Sequence, residues 1–128
     1  MAITNLGAAL AAAAVIGGTY TPLNAANAAI GIGDSTAAVA ATQTDLQATT
    51  NKYRQAMDTG FPTIASNVLT FQATVATANA NFSWQEFGIF NSATLGSGTM
   101  FNRFLSAIGT KTSAQTWQLA ITVTVTAA

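Results

Sequence analysis

The chain has 128 residues, a size at which one domain can hold an ordinary hydrophobic core. It contains no Cys and no His, which excludes disulfides and thiolate metal sites and removes the commonest general base and metal ligand. Only 6% of residues are charged and the net charge is zero, so there is no basic patch of the kind that nucleic-acid binding needs.

The first predicted element is the apolar run Leu6–Ile16. Its length fits the apolar core of a signal peptide, but the residues before it include no Lys or Arg. A membrane span needs roughly 20 apolar residues, more than this run offers. The expectation is an Ala-rich helix or an extended arm, spanning 1–24, that docks on a neighbouring subunit. Thr4 or Asn5 would cap the helix and Gly17-Gly18 would stop it.

Residues 25–128 read as a single β-domain. Ala28–Ile32 is a short strand running into a turn at Gly33. Thr36–Thr44 is small and polar, which suits a loop. Asp45–Met57 fits a helix or a long strand equally well, and Thr59–Pro62 is a turn. Leu69, Phe71, Ala73 and Val75 alternate with Thr70, Gln72 and Thr74, the period of a strand with one buried face. After a small-residue turn at Ala76–Ala80 comes the aromatic stretch Phe82–Phe90. Asn91–Gly98 reads as a hairpin loop, Thr99–Ser106 as a strand, and Gly109–Ser113 as a turn. Trp117, Leu119, Ile121, Val123 and Val125 then face one way, with Gln118, Ala120, Thr122, Thr124 and Thr126 facing the other. This is the pattern of a half-buried antiparallel strand. Short strands between Gly and Pro turns predict a mainly β fold, an antiparallel β-sandwich of jelly-roll-like form.

The candidate chemistry is sparse. Glu86, the single glutamate, lies between Trp84 and Phe87. A half-buried carboxylate can serve as an acid, but glycosidases need two at a defined separation. An ion pair with Arg54 or Arg103, or backbone hydrogen bonds, is the expected role. Gly31-Ile32-Gly33-Asp34 lacks the lysine and further glycine of a phosphate loop. Asp34 and Asp45 offer few of the six to eight oxygens that calcium takes. Trp84, Phe87, Phe90, Phe101 and Trp117 could stack on sugar rings, although their spacing fits a core. Trp84, Glu86, Phe87, Phe90, Arg103 and Trp117 are therefore the structural or interface candidates. No catalytic residue, cofactor or metal site is expected.

The segment Trp84-Gln-Glu86-Phe87-Gly88-Ile89-Phe90-Asn91, followed by Gly98-Thr99-Met100-Phe101-Asn102-Arg103, resembles a pattern in small virion proteins and in tail-fibre or collar domains of tailed bacteriophages. Ile30–Gly33, Thr44-Asp45-Leu46, Lys52–Arg54 and the strand after Lys111-Thr112 fit the same resemblance, which covers roughly residues 25–126. It implies a structural subunit of a phage particle, assembled in the bacterial host cytoplasm, and carries over no catalytic residue.

Composition points the same way. A neutral chain lacks the mutual repulsion that keeps free monomers dispersed, and surfaces of Ala and Thr suit close packing between subunits. Base composition of the genome is the alternative reading of the high Ala content. The first expectation is a non-enzymatic capsid decoration or cement protein. It would bind the major capsid protein or other virion subunits, with no nucleic-acid or membrane partner, as a homo-oligomer such as a trimer. The chain has no heptad pattern for a fibre shaft, which favours the head over a tail fibre, collar or baseplate subunit. A carbohydrate-binding module, which needs at least two Trp or Tyr rings on one solvent face, and an exported pilin-like subunit are the remaining alternatives.

Overall fold

A computed structural model describes residues 2–127. Eight strands and one helix follow in the order β1 (Ala2–Ile3), α1 (Asn5–Val15), β2 (Ala29–Gly33), β3 (Lys52–Ala56), β4 (Thr63–Ala65), β5 (Val68–Val75), β6 (Ser83–Phe90), β7 (Met100–Thr110) and β8 (Trp117–Thr124). They form a five-stranded sheet, β1-β7-β6-β2-β3, and a three-stranded sheet, β4-β5-β8. Every pairing is antiparallel. The fold is thus the expected mainly β, two-sheet antiparallel sandwich with an N-terminal helix. A jelly roll pairs two four-stranded sheets, so five strands against three leave the coarser description.

The main core fills the space between the sheets. Ile30, Ile32, Phe87 and Ile89 of the large sheet meet Phe71, Ala73, Val75, Ile121 and Val123 of the small one. The alternation read in β5 and β8 holds, with Thr70, Gln72, Thr122 and Thr124 on the opposite face. Trp84 and Phe87 both reach this core because the register of β6 against β7 slips between Trp84 and Glu86. Trp84 stacks edge-on against Trp117 at 4.9 Å, and its indole N–H donates to the Ala80 carbonyl.

The large sheet is covered on its other face as well. All of β2 is buried. Gly31 and Gly33 leave room there, since a Cβ at Gly31 would strike the Phe90 ring and one at Gly33 would strike the Glu86 carboxylate. The Ile-Gly-Ile-Gly pattern is therefore a strand that fills the core with one face and accepts two large side chains from β6 on the other. Leu46, brought over by the long connection 34–51, packs with Phe90 and Met100 in a second small core.

Four sequence expectations change. The ambiguous stretch Asp45–Met57 resolves into a loop followed by β3, whose Lys52–Ala56 pairs with β2. Strand β7 runs on to Thr110, taking in Gly109, because Ser83 and Trp84 still offer it a partner. Val125 lies beyond β8 and is 65% exposed, so the buried alternation stops at Val123. The short strands β1 and β4 were not anticipated, since two or three residues carry no readable period.

Candidate functional site

Three of the four basic side chains point inward, and each holds a loop. Arg103, on β7, is fully buried and its Nε donates to Glu86 Oε1 at 2.9 Å. Its Nη1 donates to the Ala37 carbonyl and to Gln43 Oε1. Glu86, also fully buried, accepts further hydrogen bonds from the backbone N–H groups of Ser35, Gln47 and Ala48. The pair thus anchors both ends of the 34–51 connection to the large sheet. A buried ion pair is tolerable when the remaining hydrogen-bonding positions are filled; here the carboxylate has donors on both oxygens, while Arg103 Nη2 has no hydrogen-bond partner among the described residues.

Arg54, on β3, does the same for the 91–98 hairpin. Its Nη1 donates to the carbonyls of Ser92, Thr94 and Ser97. The guanidinium carbon sits 3.6 Å above the Phe90 ring, a cation–π geometry. Burial pushes the guanidinium below its ordinary value, against the opposing pull of Asp45, whose carboxylate lies 3.6 Å from Nη2. Lys111 is 1% exposed and its Nζ donates to the Thr77 and Asn79 carbonyls and to Asn81 Oδ1, closing the 76–81 turn. An ammonium ringed by oxygens supplies the charge that a bound cation would supply in other loops.

The sequence candidates therefore fall inside the chain. Trp84, Glu86, Phe87, Phe90 and Arg103 are buried within the chain, so none of them presents its side chain at the surface. Trp117 alone of that set is half-buried. Of the residues that could stack on sugars, Phe101 is also buried, and half-buried Trp117 packs its ring edge-on with Trp84. Asp34 accepts from the Asn51 side chain, and Asp45 pairs with Lys52 and Arg54. Among the described residues no three His, Cys, Asp or Glu side chains converge as a metal site.

With these charges turned inward, the exposed surface is largely uncharged. Helix α1 is its most exposed part. The Thr4 hydroxyl accepts from the Gly7 N–H as an N-cap and also donates to the Met100 carbonyl, which fastens the first turn to β7. Gly7 is required at that crossing, because a Cβ would collide with the Phe101 carbonyl. Gly17 takes φ +66°, and the N–H groups of Gly17 and Gly18 return to Ala14 and Ala13, a Schellman end. Between those caps only Gly7 is buried, while Val15 and Ile16 are 85% and 83% exposed. The helix has no acidic residue in its first turn and no basic residue in its last. A pocket of about 340 Å³ lies beside it, lined by Leu6, Leu10, Ala13, Tyr20 and Thr99 among others. Among the described residues no helix is long and apolar enough to cross a membrane.

These features define a class of protein by architecture: an antiparallel sandwich whose cations organise its own loops and whose N-terminal helix is left uncovered. No family model, curated protein or solved structure matches the chain.

Proposed function

We propose that this protein is a non-enzymatic structural subunit of a phage particle, a decoration or cement protein that strengthens the head by packing against the major capsid protein. The observation that carries the reading is α1. A helix that is apolar on every side is stable when protein surrounds it, and here its outer faces meet none within the chain. Docking α1 on a neighbouring subunit removes that surface from water. Many such weak contacts, repeated over a lattice, sum to firm attachment. The resemblance of residues 25–126 to small virion proteins supplies the kind of particle. The saturated Glu86 carboxylate supports a role without catalysis, because its oxygens are already engaged by four donors.

Immunogold labelling of particles from cells carrying the gene tests the placement. Label over heads is the expected result. Label confined to tails replaces the head by a fibre, collar or baseplate, and particles without label overturn the virion reading. Ala12→Glu, which adds a charge to an exposed face of α1, should leave the purified protein folded and abolish its recovery with particles. Shells lacking the protein should break at lower temperature than complete ones.

A further inference from the structure

The sandwich has four sheet edges, and they differ in how they are closed. The large sheet ends in β1, two residues long, which pairs only with Asn102 and Arg103 and leaves β7 from Phe104 onward unpaired on that side among the described residues, and in β3, which carries Lys52. The small sheet ends in β4, three residues long, and in β8, eight residues long. Short edges and edge charges are the usual devices that stop strands from pairing with other chains. Strand β8 has neither. It contains no Lys, Arg, Asp, Glu, Pro or Gly, and its pairing with β5 runs unbroken from Val68↔Thr124 to Val75↔Trp117. On its far side, no backbone hydrogen bond to another segment is formed among the described residues.

We infer that β8 is a self-pairing edge, and that two copies of this chain join through antiparallel β8–β8 contact about a two-fold axis. An open row of backbone donors and acceptors is satisfied by an extended strand. The chemistry of β8 suits a second β8 in particular. A two-fold axis perpendicular to the sheet sets residue i of one strand opposite residue j of its copy and j opposite i, so charges of one sign near the middle of the strand would be brought close together across the seam. Here there are none. The same operation keeps Leu119, Ile121 and Val123 of both copies on one face, which makes a continuous six-stranded sheet over a shared core. An apolar pocket of about 300 Å³, lined by Trp84, Ile108, Trp117 and Leu119 among others, lies at the Trp117 end of this strand. The β8–β8 contact differs from the trimer expected from composition. It is a property of the purified chain and does not depend on placement in a virion.

Sedimentation velocity of the full chain from micromolar to sub-millimolar concentration tests it. The expected mass is twice the 13.0 kDa of the chain. Ala120 and Thr122 project outward from the middle of β8 and are exposed. The double variants Ala120→Lys/Thr122→Lys and Ala120→Glu/Thr122→Glu should each run at half the wild-type mass with unchanged circular dichroism. Mixing them in equal amounts should restore the doubled mass, because Lys then faces Glu. That rescue separates a lost interface from a damaged fold. A wild-type chain monomeric throughout, a trimer, or a dimer indifferent to both variants would overturn the inference.

Discussion

The large sheet and the loops on it hold Glu86, Arg54, Arg103 and Lys111, all buried, whereas the strands of the small sheet contain no charged residue at all. On the large sheet, the buried cations are engaged with loops: each gathers carbonyl oxygens from a connection that would otherwise have little to fold against, and only Arg54 Nε and Arg103 Nη2 lack a partner among the described residues. On the small sheet, packing is left to alternation alone, with Thr, Gln and Ala turned outward. The contrast shows that low charge in this chain is not a shortage of polar interactions. The few charges present fix connections, and the outward faces of the small sheet are left uncharged.

Substitutions separate the two regimes. Glu86→Ala should have the largest effect, about 3–5 kcal/mol of stability in urea unfolding, because Arg103 is left as an unpaired buried charge and three backbone N–H groups lose their acceptor. A loss under about 1 kcal/mol would mean that water enters beneath the 34–51 connection. Lys111→Met keeps the length of the side chain and removes its donors. About 1–3 kcal/mol should be lost, as the Thr77 and Asn79 carbonyls go unmet. Gly7→Ala should cost about 1–3 kcal/mol by overpacking. Hydrogen exchange should then speed up over Asn5–Val15 and leave β5 and β8 unchanged. On the small sheet, Thr63→Gln, at an exposed position of β4, should change stability by about 0.5 kcal/mol or less, since surface positions without special contacts tolerate exchange. A clearly larger loss there would dissolve the contrast.

How far the sequence disclosed this arrangement follows from the range of each interaction. The strands β5 and β8 were legible because a two-residue period is local and both strands have one wet face. The Thr4 cap and the Gly17-Gly18 stop were legible for the same reason. The Glu86–Arg103 pair was anticipated only as one of two choices, because burial between aromatics says that a partner is needed but not which one. The loop clamps were hidden. Arg54 meets carbonyls 38 to 43 residues away and Lys111 meets oxygens 30 to 34 residues away, and carbonyl acceptors belong to every residue alike. Buried aromatics were read as possible interface residues because their count fits either role until the register of β6 is known. The reason for Gly31 and Gly33 was equally out of reach, since it lies in the side chains of a strand far along the chain.

The inward cations also decide how this protein meets a protease. Trypsin cuts after Lys or Arg, and the chain offers it Lys52, Arg54, Arg103 and Lys111. The last three are buried and Lys52 lies within β3, paired with Asp45. No recognised bond is therefore presented on an exposed loop tip, where nicking normally begins. Digestion must wait for the fold to open, and its rate reports how often that happens.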